Sequence, residues 1–281
     1  MRANTVLARN VYPDVVESFG REWQTFDQSG LSEQELRGMF DEYFEIFPWS
    51  ELPADAVGYD LGCGTGRWAR FVAPRVGELH CVEPSAALEV ARRNLAAFSN
   101  CRFHAASVDD WTLADASMDF GFSLGVLHHV PDTLAGIREC VRKLKPGAPF
   151  LLYLYYSLEN RPAWYRAVWR TSDVFRRAIS RAPAIIKNAA AATIAASVYW
   201  PLARTARWLE RHGARVDHLP LAAYRGRSFY IMRNDALDRF GTRVERRFSR
   251  AQVEDVMRLA GLERIRFSEK AFWCAVGYRR S

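Results

Sequence analysis

Asp60-Leu61-Gly62-Cys63-Gly64-Thr65-Gly66 puts a glycine at every second position after a short apolar stretch. Such a run lets the backbone turn sharply and approach a ligand without interference from a Cβ. In the dinucleotide pattern G-x-G-x-x-G the third glycine would fall at position 67, where this chain has Arg67. That departure points away from a pyrophosphate and toward a nucleoside with an amino-acid tail. Glu83 follows Gly62 by 21 residues, the place where an acidic side chain at the end of the second strand accepts hydrogen bonds from both ribose hydroxyls. The competing reading of Glu83 is an exposed strand-end carboxylate. His128 and His129 bring two imidazoles, which titrate near neutrality. Tyr155-Tyr156 and Arg225, Arg227 and Arg233 could contact a substrate, the arginines through a phosphate or carboxylate. Equally, the tyrosines are good strand residues and the arginines good surface ones.

The elements that must hold these residues follow from periodicity. Ser32 to Glu35 has capping-box spacing, and Leu36, Met39, Phe40, Tyr43 and Phe44 then form one apolar face up to Pro48. Before that helix, Phe19 to Trp23 reads as a short aromatic cluster in a polar lead-in. From residue 56 strands and helices alternate. Strands are predicted over 56–59, 78–82, 102–105, 119–124 and 149–155. Helices are predicted from about Arg67, from Ser85 to about 97, and from the Asp132 cap to Leu144, where Pro146-Gly147 breaks the chain. This order implies right-handed crossovers and a parallel sheet. A last helix capped by Ser249 and ended near Gly261 precedes strands over 264–268 and 272–278, close enough to pair antiparallel at a sheet edge. The expected fold is α/β: a doubly wound, seven-stranded, mostly parallel sheet with N-terminal helices and a helical insertion after the fifth strand. The expected division is a helical cap over 1–50, an α/β core over 51–160, a basic helical insertion or substrate lid over 161–230, and a return to the core over 231–281.

The chain has 281 residues, 49% hydrophobic and 25% charged, as a globular protein does. Its charge is uneven. Residues 161–250 carry 19 Lys/Arg against 6 Asp/Glu, and the remainder 20 against 26. Such a basic section either holds an anionic partner or is a solvated helical surface. Sixteen uncharged residues at 188–203 are too short, and too rich in alanine, for the roughly 20 strongly apolar residues of a spanning helix. A packed helix is expected, with membrane-surface contact as the alternative. Five scattered cysteines without a CxxC pair suggest neither zinc nor redox chemistry, so no metal is expected. No apolar run follows a basic start as in a signal peptide, and a reducing cytoplasm is the expected compartment.

Val57 to Trp68 resembles the first motif of the class I S-adenosylmethionine-dependent methyltransferases, and Val82-Glu83-Pro84-Ser85 their second. Phe122 to Val130 is similar to the fourth motif, and Leu144-Lys145-Pro146-Gly147 to the turn before the fifth strand. The match spans about 56–155 and is nearest to the type 11, ubiquinone-methyltransferase-like branch. The resemblance implies S-adenosylmethionine as cofactor and S-adenosylhomocysteine as product. It assigns Gly62, Cys63, Gly64 and Gly66 to the methionine portion, Asp60 to ordering the loop and reaching the ligand's amine, and Glu83 and Pro84 to the ribose side. Ser107-Val108 replaces the usual Asp followed by a small residue at the adenine, and Asp109 could take over there. Leu124 would bring its backbone near the methionine end, and Trp23 with Phe19 would either close over the cofactor or pack in the core. Methyl transfer to oxygen usually needs a proton removed. His129 is the chosen base, and a hydrogen-bonded packing residue is its alternative. The acceptor is expected to be a small molecule or saccharide, with O-methylation preferred and Tyr155, Tyr156 and Arg225 contacting it. RNA is disfavoured because no separate recognition module is present, although the basic insertion would suit RNA or a lipid-linked saccharide; peripheral membrane contact is the associated expectation.

Overall fold

Seven strands carry the chain's apolar runs: β1 (Val57–Leu61), β2 (Glu78–Val82), β3 (Cys101–His104), β4 (Phe120–Leu124), β5 (Pro149–Tyr153), β6 (Leu262–Phe267) and β7 (Ala275–Arg279). The helices, in chain order, are α1 (Pro13–Thr25), α2 (Glu33–Tyr43), α3 (Ala69–Val72), α4 (Ala87–Asn94), α5 (Thr133–Lys143), α6 (Ala163–Ile179), α7 (Ala184–Ile194), α8 (Trp200–Arg211), α9 (Phe229–Gly241) and α10 (Arg250–Leu259). The structure is a computed structural model that describes residues 10–270 and 272–281. The first nine residues, on which the reading of the N-terminus and the start of the helical cap rest, lie outside the described residues.

The chain divides into two units. The first holds the sheet and comprises the described residues to Gln28, Leu36–Ser157 and Glu245–Ser281. Its strand order is β3-β2-β1-β4-β5-β7-β6. β1 to β5 run parallel, and β7 is antiparallel to both β5 and β6. All five residues of β4 and of β5 are buried, which is why both carry apolar residues on either face of the sheet. β1 has β2 on one side and β4 on the other, so the order reverses beside it. Open α/β sheets bind ligands outside the carboxyl ends of their strands at such a reversal.

Several expectations are met closely. The Asp132 side chain accepts from the Ala135 amide and caps α5, and Ser249 and Gln252 form a full capping box on α10. Others shift. The aromatic lead-in is part of a full helix, α1, started by Pro13 in its first turn, where a missing amide costs nothing. The helix after the glycine loop is only Ala69–Val72, because Pro74 follows at once and the chain continues as a tighter turn over Ala73–Arg75. The last two strands do pair antiparallel, but β7 enters between β5 and β6, leaving β6 at the edge.

The second unit comprises Ser29–Glu35 and Leu158–Val244, wider than the 161–230 expected. It is helical: α7 packs along α9, and α6 also lies against α9. The uncharged stretch runs through α7, a π-helical segment (Ala195–Tyr199) and the start of α8. Its buried residues Ala191, Ala195, Tyr199 and Ala203 recur every four positions, so the stretch does pack as a helix. Among the described residues, no helix is long and apolar enough to cross a membrane.

Candidate functional site

The glycine loop leaves β1 and is pinned to β2: the amides of Gly62 and Cys63 both donate to the Val82 carbonyl, at 2.8 and 3.1 Å. Gly62 has φ +75°, and a Cβ there would lie 2.3 Å from Val126, so no side chain fits. Gly64 has φ +53°, but its Cβ position has only the Trp23 indole nearby, at 3.5 Å. At Gly64 the constraint is therefore conformational, and the open side of the loop faces Trp23. Trp23 also carries the Arg67 guanidinium over its ring at 5.3 Å, with Trp68 on Arg67 at 4.5 Å. Cys63 is buried, as are the other four cysteines, all free thiols.

Glu83 is buried and not an exposed strand-end carboxylate. Its oxygens accept from the Gly64 amide (3.2 Å) and the Ser85 amide (3.0 Å), so it braces the loop it faces. Burial raises its pKa, and the hydrogen bonds from Ser85 and Gly64 oppose that rise. Asp60, inside β1, is also buried, and neither of its carboxylate oxygens has a hydrogen-bond partner. Burial pushes its carboxyl well above the usual carboxylate range; the neighbouring Glu83 charge adds to this and Arg67 opposes it. A buried carboxyl without a partner costs stability unless something supplies a donor or a positive charge.

Between α1 and the turns after β2 and β3 lies a cavity of about 570 Å³, whose lining includes neither the glycine loop nor Asp60, Glu83 or Trp23. One wall is α1, with Val16, Gly20 and Gln24, and the other is formed by Pro84-Ser85-Ala86 and Ala105 to Ser107, with Asp110. Asp109 does not line it. The Asp109 carboxylate accepts from the Ser107 hydroxyl (2.7 Å) and the Asn10 amide (2.5 Å), while the Val108 side chain lies in the core cluster. Asp110, not singled out from the sequence, lines the cavity together with Glu17, and its carboxylate accepts from the Ser107 amide (2.5 Å) and hydroxyl (2.8 Å). Leu124 is buried at the end of β4, followed by Gly125 at φ +80°.

The second cluster forms where β4 and β5 end. His128 is fully buried, its ring 3.9 Å from both His129 and Tyr155, and neither of its ring nitrogens has a partner. Burial, with the His129 and Arg247 charges adding, holds its pKa well below the usual histidine value, so it is neutral at pH 7. His129 is buried as well, 4.9 Å from Phe19 of α1 and 5.6 Å from Tyr155. Arg247 lies over Tyr155 at 5.5 Å, a neighbour not singled out from the sequence. Tyr156 turns instead to Trp273. Arg225 belongs to the second unit, where it pairs with Glu210 (2.8 Å) and Asp217 (3.2 Å). The first unit therefore gathers Asp60, the glycines, Glu83, Ser107, Trp23 and the His128–His129–Tyr155 group. Tyr156 is directed away from that group, and Arg225 is engaged within the second unit.

Residues 59–147 match a family model described as a methyltransferase domain. Over 134 residues the chain is 31% identical to a 2-phytyl-1,4-naphthoquinone methyltransferase of Thermosynechococcus vestitus, covering 43% of this chain and 58% of that one. Over 107 residues it is 33% identical to a ubiquinone biosynthesis O-methyltransferase of Idiomarina loihiensis, covering 36% of this chain and 42% of that one. The chain thus spans about half the length of these curated relatives. Among solved structures, the complex of the Haloferax volcanii Trm112 methyltransferase activator with its methyltransferase is similar in fold, with TM-score 0.51 and 15% identity over 94% of this chain and 99% of that one.

Proposed function

We propose that this chain, whose residues 59–147 match a methyltransferase domain, is a class I S-adenosylmethionine-dependent methyltransferase that methylates a small or medium-sized acceptor at the crevice beside β1. The observation that carries the reading is Asp60: a buried carboxyl with no partner, next to a glycine loop that the ribose-side acid Glu83 braces. When bound, S-adenosylmethionine supplies an electrophilic methyl group on a sulfonium.

The chain's own residues then bind and orient. The loop from Gly62 to Gly66 approaches the amino-acid tail, with the Asp60 carboxylate compensating its ammonium directly or through water. Glu83 holds the ribose while keeping the Gly64 amide in place. Pro84, Ser107 and Asp110 form the adenine side of the cavity, α1 forms its other wall, and Trp23 covers the open side of the glycine loop. In-line displacement draws much of its rate from such positioning. His129 is the proposed base for an oxygen acceptor, with neutral His128 and Tyr155 packed beside it.

Two relatives are named for quinone chemistry, one of them for O-methylation, which supports oxygen and a partly apolar acceptor. Sugars, glycan ends and secondary metabolites belong to the same class. The second reading is an RNA or lipid-linked saccharide acceptor, supported by the basic composition of the second unit. Incubation with labelled donor and candidate acceptors, followed by mass identification of the product, tests the proposal. His129→Ala should lower kcat by roughly 10²-fold or more with donor affinity unchanged. Unchanged turnover would leave His129 a packing residue.

A further inference from the structure

α6 has its faces reversed relative to a core-packing helix. Asp173 and Arg176 are its buried residues, followed by buried Ser180 at its C-terminal cap. They form a polar network: Arg176 pairs with Asp173 at 2.5 Å and donates to the Thr242 carbonyl at 3.0 Å, and Arg239 approaches Asp173 at 3.7 Å. The opposite face is apolar and open. Trp164, Val168 and Phe175, at i, i+4 and i+11, are 48%, 56% and 63% exposed. After the turn at Pro183, Ile185 and Ile186 are 84% and 55% exposed. Exposed apolar side chains of this kind call for a cover that none of the other described residues gives.

The charge around it identifies the cover. From Arg161 to Lys187 there are seven basic residues and a single acidic one, Asp173, which pairs with buried Arg176 and with exposed Arg177. Arg170 and Arg177 are exposed along one flank of α6, and Arg181, in the turn just after it, is exposed as well. A two-fold contact with a second copy would oppose these arginines to each other. An anionic lipid surface accepts both features at once. Aromatic and aliphatic side chains enter the boundary between headgroups and acyl chains, and arginines extend to the phosphates.

We propose that α6, with Ile185 and Ile186, is a docking surface for an anionic bilayer, along which the helix lies without crossing. The proposal goes beyond the methyl-transfer reading and does not depend on it. Flotation of the full chain with phosphatidylcholine vesicles, with and without phosphatidylglycerol, is the test. The full chain should float with the anionic vesicles, less so as salt rises, and poorly with phosphatidylcholine alone. A Val168→Glu/Phe175→Glu variant should lose about tenfold or more of that binding while retaining its far-UV dichroism. Should that variant misfold, Arg170→Gln/Arg181→Gln, at two exposed positions, should still weaken binding severalfold. The proposal is overturned if wild type ignores anionic vesicles at low salt, or if correctly folded variants bind as wild type does. It is also overturned if sedimentation shows that α6 holds a dimer which binds no vesicles.

Discussion

Asp60 and Glu83 divide the work of one acidic pair by their partners. Glu83 is satisfied by two amides, and Asp60 is held in reserve without any. Because the folded-state pKa of Asp60 is raised, its contribution to stability is present at low pH and lost as pH rises through that raised value. Asp60→Asn should therefore make the free protein progressively more stable than wild type as pH climbs above the ordinary carboxylate range, read by thermal melts. The same change should weaken donor binding by roughly 1.5–3 kcal/mol, the worth of a charge-assisted hydrogen bond. Equal pH profiles for the two proteins would contradict the assignment. The glycines and Glu83 were legible because their spacing is a backbone requirement. The choice between Asp109 and Asp110 was not, because it depends on the turn after β3 and on Asn10, nearly a hundred residues away in sequence.

At the scale of elements, the strands up to β5 and their parallel run could be read from alternation with helices, since each is a local apolar run. The insertion of β7 between β5 and β6 could not, because strand pairing is a long-range choice that composition leaves open. Nor could the reversed faces of α6: helical periodicity shows that a stripe exists without saying which side is inward. α1 is the element whose role was least legible, and its placement explains why. Asn10, just before it, donates to the Asp132 carbonyl and accepts from the Asp132 amide, both at 2.8 Å, and its own amide donates to Asp109. The start of α1 is thereby tied to the loops after β3 and β4 that flank the crevice. Asn10→Ala removes two side-chain hydrogen bonds of about 0.5–1.5 kcal/mol each. It should raise the donor's off-rate severalfold in stopped-flow measurements with little loss of secondary structure. An unchanged off-rate would show that α1 does not roof the bound donor.

For the whole molecule, the two units should answer to different ligands. The cavity along α1 is lined by residues of the first unit, and the basic, outward-apolar surface of α6 lies in the second. Saturating donor at about 100 times its Kd adds roughly 2.7 kcal/mol to the state that binds it. Hydrogen exchange should accordingly slow over α1, 60–66 and 83–86, and stay unchanged over α7 and α8. Slowing spread evenly over both units would mean that the helical unit takes part in holding the donor.

The most direct test of the central claim is calorimetric titration with S-adenosylhomocysteine, repeated in buffers of different ionisation enthalpy. The account predicts one site per chain, release of a proton as Asp60 ionises beside the ligand's ammonium, and affinity that rises with pH until Asp60 is already charged in the free protein. No binding at millimolar ligand, or binding with no proton released at a pH where free Asp60 is still protonated, would contradict it.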